Sequence, residues 1–450
     1  MNNMTIEKAA ELCGGSICGR YDPQTELGRI VIDSRKIQKN DIFAAYRGEK
    51  TDGHLYINKA LELGAGCCLA EYVPDGVEGC VIVVNDVQGA VEAIAEGYRE
   101  MLNIPIIGVT GSVGKTSAKE MISAVLGAKF KVRKTEGNLN NQIGVPMTIS
   151  SIMEDDEIAV IEMGISGFGE MRGLSKIAKP NFAVYTLIGH AHLEFLGDLD
   201  GVLRAKGEMT ENMSPDAVVL VNGDDVKLSA WNCPCRKMTF GLSSSADIYA
   251  ENVVYVNETL TECDVCYGER KLHVAIPSYG RHMVYAALEG IGTGMLFGLT
   301  DEEIISGVSR FKTVGRRAAV FTTDSLTVID DCYNANPDSV KCGIDSLAEL
   351  ASRKVCILGD MLELGEGSAD MHYDVGRYAA EKGIDLVLCC GELARHMALG
   401  AGNGAIYYPN TEELKKDLPF RLKKGDAVLV KASRAMNFDG VSELLKAVEL

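Results

Sequence analysis

Basic residues are in short supply. The 450-residue chain carries 45 Lys and Arg against 63 Asp and Glu, a formal net charge of −18. A body this acidic repels phosphate backbones, which argues against nucleic acid as a partner but leaves room for a small nucleotide in a local positive pocket. Long apolar runs are missing too: none approaches the ~20 residues of a membrane-spanning helix. The opening stretch MNNMTIEKAAELCGG has no basic segment followed by an apolar one, so no secretion signal is read there. Together these absences point to a cytoplasmic protein that is not integral to a membrane. Internal repeats, low-complexity stretches and long linkers are also lacking. What remains is ordinary globular usage, 46% hydrophobic and 24% charged, enough to fill several cores.

Cysteine, by contrast, is plentiful. The chain has 14, and without a secretion signal reduced thiols are expected. Cys356, Cys389 and Cys390 fall in apolar runs where a thiol behaves as a small hydrophobe. Two close pairs, Cys233-Pro-Cys235 and Cys263-Asp-Val-Cys266, would supply four thiolates for zinc. The first pair is C-x-C rather than C-x-x-C, which favours incidental use.

At ~150 residues per domain the length suggests about three domains. Residues 1–102 alternate short apolar runs (Leu27–Ile32, Ile42–Tyr46, Cys67–Ala70, Val81–Val84) with helical patterns at Tyr56–Leu63 and Val87–Leu102. Residues 103–314 open on a buried-strand pattern, Ile104–Thr110. A helix follows, with Ala118, Met121, Ile122, Val125 and Leu126 on one face. Further strands are expected at Ile158–Met163, Phe182–Leu187 and Ala217–Val221. Residues 315–450 repeat the alternation, with strands at Val320–Phe321, Leu326–Ile329, Val355–Leu358, Leu386–Cys389 and Ala427–Val430. Helices there are expected at Asp338–Ala351, Ala369–Lys382 and Gly440–Val448. The fold class is α/β: a central domain on a mainly parallel sheet, a Rossmann-like C-terminal domain and a smaller α/β domain in front.

The strongest chemical signal is Thr110-Gly111-Ser112-Val113-Gly114-Lys115-Thr116-Ser117, set between strand and helix. Glycines let backbone N–H groups turn inward around phosphate oxygens. Lys115 reaches the β/γ-phosphates, the Thr116 hydroxyl suits Mg2+, and the helix N-terminus favours an anion. Val109 stands where the longer G-x-x-x-x-G-K-T form has its outer glycine, leaving the shorter T-G-x-x-G-K-T form. The motif alone leaves hydrolysis, group transfer and ligation open.

Other strings narrow the choice. Gly137-Asn-Leu-Asn-Asn-Gln-Ile-Gly-Val-Pro146 follows the loop, then Ile161-Glu-Met-Gly164, Ala191-His-Leu-Glu194 and Ala205-Lys-Gly-Glu208. Later come Asp330-Asp-Cys-Tyr-Asn-Ala-Asn-Pro-Asp-Ser339, Leu358-Gly-Asp-Met-Leu-Glu-Leu-Gly365 and Lys431-Ala-Ser-Arg-Ala-Met-Asn-Phe438, with Asp33-Ser-Arg35 and Asp52-Gly-His54 in the first segment. This set, in this order, resembles the Mur ligase family over the whole chain. Y-N-A-N-P-D-S and G-D-M-L-E-L-G make it most similar to the members that add a dipeptide.

The resemblance implies ATP-driven amide formation. D-alanyl-D-alanine would be joined to UDP-N-acetylmuramoyl-tripeptide through an acyl phosphate, in peptidoglycan precursor synthesis, by a monomer. It implies that the first domain holds the UDP end, the second ATP, and the third the incoming dipeptide. Lys115 and Thr116 would meet the phosphates and Mg2+. Glu162 and His192 would be metal ligands, with two ions expected. Read alone, a strand-end Glu such as Glu162 is more often a solvated rim residue, and a lone histidine such as His192 is usually structural or exposed. Lys206, otherwise a surface lysine pairing with Glu194 or Glu208, would be carbamylated by CO2 and so become an anion for the second Mg2+. Arg316 would meet the γ-phosphate, although Arg317 stands beside it. Asp331 would hold the ribose and Asn336 the nucleotide. Asn138, Asn140 and Asn141 would line the centre. Ser34 and Arg35 would meet the uridine nucleotide, and Ser433 and Arg434 the dipeptide. Asp360, Glu363 and His372 lie near the same sheet edge, and Asp52–His54 read as structural. Two departures stand out: His190 fills a place where an acid is expected, and Met283, in Gly280-Arg-His-Met283, replaces an adenine-contacting Asn. Another Mur-type amino-acid or folate ligase, a P-loop switch and a non-catalytic paralogue remain as alternatives.

Overall fold

The structure, a computed structural model, describes residues 1–48 and 51–450. The expected α/β class is what the chain adopts: three sheets, mainly parallel, follow one another along the sequence. The first has the order Ser16–Cys18, Val81–Val83, Cys67–Ala70, Ile42–Ala44, Ile30–Val31, with only the Ser16–Cys18 edge antiparallel. A helix absent from the sequence reading, Ile6–Cys13, precedes it, capped by the Thr5 hydroxyl and ended by Gly14 in the left-handed region.

The second sheet has nine strands. Six run parallel from Val132–Lys134 through Ile158–Glu162, Ile106–Thr110, Phe182–Tyr185 and Val218–Asn222 to Arg236–Gly241. The rest is an extension that the sequence reading lacked. Ile248–Asn257 joins in parallel, and Leu260–Tyr267 and Arg270–Ile276 close it as an antiparallel meander. Strand Ile106–Thr110 lies between two later strands, so chain order reverses at its carboxyl end. An open α/β sheet has its natural crevice at such a point.

The third sheet runs Ala319–Thr322, Leu326–Asp330, Asp426–Lys431, Lys354–Gly359, Leu386–Cys390, Ala405–Tyr408, parallel except at its first edge. Its helices include Pro337–Ala348, Ser368–Glu381 and Asp439–Ala447. Proline at the first turn and an Asn336–Ser339 capping box explain why the first of these starts where it does.

The cores tell which parts move together. One apolar cluster runs from Ile42 and Leu69 in the first sheet through Ile94 and Tyr98 to Ile149, Ile161 and Met171 beneath the second. Polar contacts reinforce it. The Tyr98 hydroxyl donates to Ile152 O (2.7 Å), and the buried Arg99 guanidinium donates to Ala178 O (2.8 Å) and Asn181 Oδ1 (3.2 Å). The third sheet instead has its own clusters on its two faces. A unit with a private core, joined by the single segment after Phe311, is the one expected to move as a body.

The zinc reading fails. Cys235 packs in the core beneath the first and second sheets, with Cys233 against it, whereas Cys263 is in the core on the other face of the second sheet. Among the described residues no three His, Cys, Asp or Glu side chains gather as a metal cluster. All 14 thiols are free. Burial pushes Cys68, Cys263 and Cys390 up to about 12, so thiolate is scarce at neutral pH. Among the described residues no helix is long and apolar enough to cross a membrane.

Candidate active site

The carboxyl ends of three adjacent strands build the site. Strand Ile106–Thr110 delivers the phosphate loop, and the Thr110 hydroxyl donates to Met163 O at the neighbouring strand end (2.9 Å). Gly111 has φ +149°, and a Cβ there would run into Thr186 Oγ1, so glycine is required on two counts. The Thr186 hydroxyl also donates to Val113 O, and Ser112 N to Leu187 O (2.7 Å). The Ser112 hydroxyl donates to Gly189 O and accepts from Gly189 N, both 3.0 Å. The loop is thus sewn to the connection after strand Phe182–Tyr185. Gly114, at φ 87°, turns the chain into the helix Lys115–Leu126. Lys115 Nζ donates to Gly111 O (2.8 Å), folding back over the loop.

Glu162 closes the adjacent strand and is 1% exposed. Its oxygens accept from the Thr116 hydroxyl (2.8 Å) and from Asn140 Nδ2 (2.7 Å). Of the three loop asparagines, Asn140 is therefore the one brought to the carboxylate. Asn138 is exposed, and Asn141 Oδ1 accepts from the backbone of Ile143 (3.2 Å) and Gly144 (3.0 Å) to start the next helix.

Lys206 corrects the surface-lysine reading. It is 1% exposed, and its Nζ has no hydrogen-bond partner. Burial drives its pKa far down. The neighbouring Lys115 cation pushes the same way and Glu170 opposes. Glu208 is engaged elsewhere, accepting from Gly169 N (2.9 Å) and Arg172 N (3.2 Å) at the start of the helix Glu170–Ala178. His192 holds a left-handed backbone, φ 56°. Its Nδ1 lies 2.5 Å from Glu363 Oε2, a close ion-pair approach, but off the line of a hydrogen bond. Burial lowers its pKa, Lys206 and Lys115 add to this, and Glu363 works against it. Lys115, Lys206 and His192 therefore share one electrostatic neighbourhood, which an anion would complete.

The third unit contributes Arg317 rather than Arg316. Arg317 lines a crevice with Thr116, Ser117, Glu120, Phe311, Thr313 and Val314 and lies over the Tyr333 ring (3.8 Å). Burial lowers the Lys115 pKa, Glu162 opposes this and Arg317 adds to it. Arg316 turns the other way, to Asp330 (3.2 Å), Asp439 (3.1 Å) and Glu443 (2.6 Å). Asp331 accepts from Ala318 N (3.0 Å) and pairs with Lys431. Beside them is His282, whose two ring nitrogens are buried without partners. Asn336 Oδ1 accepts from Ser339 N (2.8 Å) as a helix cap. Ser433 Oγ accepts from Leu362 N (2.9 Å), and Arg434 is exposed near Asp439 (3.7 Å). His372 is wholly buried between Met361 N and Ser368 O, and Asp360 accepts from Ala394 N (2.7 Å); both act as structural pins.

Ser34 and Arg35 stand in a single tight turn of the first unit. The exposed Arg35 guanidinium forks onto Asp33 (2.9 Å for both bonds), which holds that carboxyl down at about 2. His54 is buried, stacked on Tyr72 (4.4 Å) and bonded to Asp52 (2.6 Å), as its structural reading had it. Met283 is 1% exposed inside an apolar core. Met283→Asn is therefore expected to lower stability by about 2–3 kcal/mol through a buried, unpaired amide. Urea unfolding checks it.

Against known proteins, residues 26–120 match the Mur ligase family catalytic domain, 109–294 the Mur ligase middle domain, and 310–434 the Mur ligase glutamate ligase domain. A UDP-N-acetylmuramoyl-tripeptide–D-alanyl-D-alanine ligase of Bacillus subtilis is 35% identical over 98% of this chain and 98% of its own. The chain belongs to the Mur ligase family. Among solved structures, this Mur ligase is similar to MurF from Acinetobacter baumannii (TM-score 0.89, 28% identity, 98% of both chains). It is also similar to MurF from Thermotoga maritima in complex with ADP (TM-score 0.83, 29% identity, 93% and 97% of the chains).

Proposed function

We propose that this Mur ligase joins D-alanyl-D-alanine to UDP-N-acetylmuramoyl-tripeptide at the expense of ATP, in peptidoglycan precursor synthesis in the cytoplasm, acting as a monomer. The observation that carries the reading is its likeness, end to end, to the ligase of that name. The site supports it chemically. Amide formation through an acyl phosphate gathers anions; Arg317 lines the crevice beside Thr116, and Lys115 and His192 share the electrostatic neighbourhood of the phosphate loop. No specific feature favours a folate ligase or a nucleotide switch.

In this reading residues 103–314 bind ATP, 1–102 the uridine nucleotide through Ser34 and Arg35, and 315–450 the dipeptide through Ser433 and Arg434. The backbone from Gly111 to Gly114 cradles the phosphates, and Lys115 and Ser117 hold them. Asp331 receives the ribose hydroxyls when its bond to Lys431 opens. Asn336 shapes the nucleotide pocket from its helix cap. The donor set suits Mg2+: the Thr116 hydroxyl, the Glu162 carboxylate, His192, and an anion made from the unpartnered Lys206 amine. Bound Mg2+ neutralises phosphate charge. Lys206 supplies what the cluster lacks: its neutral Nζ bonds to CO2 carbon and gives up a proton, leaving a carbamate anion. Arg317, rather than Arg316, meets the γ-phosphate.

Phosphate release from ATP and Mg2+ tests the function. It should require both the UDP-tripeptide and D-alanyl-D-alanine and yield a UDP-pentapeptide by mass; release without the dipeptide refutes the reading. Arg317→Ala should lower kcat/KM for ATP by about 10- to 1000-fold. Arg316→Ala should chiefly lower stability, by about 1–3 kcal/mol, by leaving the buried Asp330 carboxylate without its cation, held only by Ser442 and Cys332 N. Steady-state kinetics and urea melts on both variants separate the two.

A further inference from the structure

The third unit makes polar contact with the second at the short segment Gly189–Glu194. Asp338, in the first turn of the helix Pro337–Ala348, points its carboxylate out of its own unit. It accepts from His190 N (2.6 Å) and lies 3.0 Å from His190 Nδ1. Gly189 is fitted to that contact. Its φ is not in the left-handed region, yet a Cβ there would meet Asp338 Oδ2, Cγ and Cβ before any other atom. Glycine at 189 thus answers the approaching carboxylate rather than a turn. Behind the contact, Gly189 N and O are both bonded to the Ser112 hydroxyl of the phosphate loop. Farther along, Glu194 N donates to Glu363 O (3.3 Å). A continuous polar path therefore runs from Asp338 through the 189–190 backbone to the phosphate loop, between bodies that have separate cores.

We propose that Asp338 is the positioning residue of closure: its carboxylate, seated on Gly189–His190, latches the third unit onto the second and through Ser112 fixes the phosphate loop. The coupling to nucleotide rests on the phosphate loop binding ATP; the latch does not. A carboxylate on a backbone amide is a charge-assisted bond, whose loss corresponds to about 10- to 100-fold in a local equilibrium.

Hydrogen–deuterium exchange on the full chain without nucleotide reads the latch, and calorimetry with MgADP reads the coupling. In Asp338→Ala, exchange in residues 187–194 and in the phosphate loop should rise by about 10-fold or more, and MgADP should bind more weakly by a similar factor. Asp338→Asn keeps an oxygen for the His190 amide and should fall between. Gly189→Ala, made on the opposite body, should reproduce the effect even if the Asp338 variants fold poorly. The double variant should be no worse than the worse single, because both break one contact. Wild-type exchange at 187–194 in a folded Asp338→Ala protein, or additive losses in the double variant, would overturn the latch. If wild type binds no MgADP, the nucleotide reading fails while the exchange experiment still decides the latch.

Discussion

Replacing Lys206 by alanine should cost ligation about 10³-fold or more, and short carboxylic acids such as acetate or propionate should restore part of it. In the proposed reading the size follows from removing the carbamate anion that would hold metal charge at a phosphoryl-transfer centre. The rescue follows from the proposed carbamate: truncation leaves a hole of side-chain length in a buried site, into which a small carboxylate can bring the missing anion. Burial carries the argument. A protonated amine with no partner is costly in a dry site, and Lys115 adds repulsion, so the site favours the neutral amine of Lys206, the form that reacts with CO2. Full activity of the alanine variant without added acid would refute the carbamate. A native mass spectrum of the wild type, with and without bicarbonate, reads the adduct directly.

Lys115→Ala should abolish turnover to a comparable degree, about 10³- to 10⁵-fold, because the γ-phosphate loses its nearest cation. A second effect is built in. Burial lowers the Lys206 pKa most and Lys115 adds to it, so removal of Lys115 should raise that pKa and, in the proposed reading, disfavour the carbamate too. The two alanine substitutions should therefore be far from additive, with the double variant hardly slower than either single. Single-turnover phosphate release on the three variants gives the comparison. Normal turnover by Lys115→Ala would remove the phosphate-loop assignment.

Legibility in the sequence followed apolar periodicity. The strand ending at Thr110, the phosphate loop and the helix Lys115–Leu126 were all readable because strand, glycines and helical face occur in order. The meander after residue 247 was not. Its strand Leu260–Tyr267 buries Thr261, Cys263 and Val265 against outward Glu262 and Asp264, a face too small and polar to register as apolar. The burial of Lys206 was likewise invisible. Its helix looks amphipathic and solvated, and it packs on residues remote in sequence: Tyr185, whose hydroxyl donates to Lys206 O (3.1 Å), and Trp231 against Gly207. Arg316 and Arg317 are adjacent, and Arg316 is drawn away by Asp330, Asp439 and Glu443, partners remote in sequence that no local pattern reveals. Among Asn138, Asn140 and Asn141 the choice is made by loop shape, which composition does not encode.

The thiols have a use beyond packing. Each sheet carries its own sealed set: Cys67 and Cys68 in the first, Cys263 in the second, Cys356, Cys389 and Cys390 in the third. An alkylating reagent can reach them only when the surrounding sheet opens. Mass-resolved labelling over time therefore makes the protein its own set of three clocks, one per sheet, with no introduced probe. Cys67 reports on the core shared by the first two sheets and Cys263 on the opposite face of the second, so matching rates at the two would show that sheet opening as one unit, while the third runs independently.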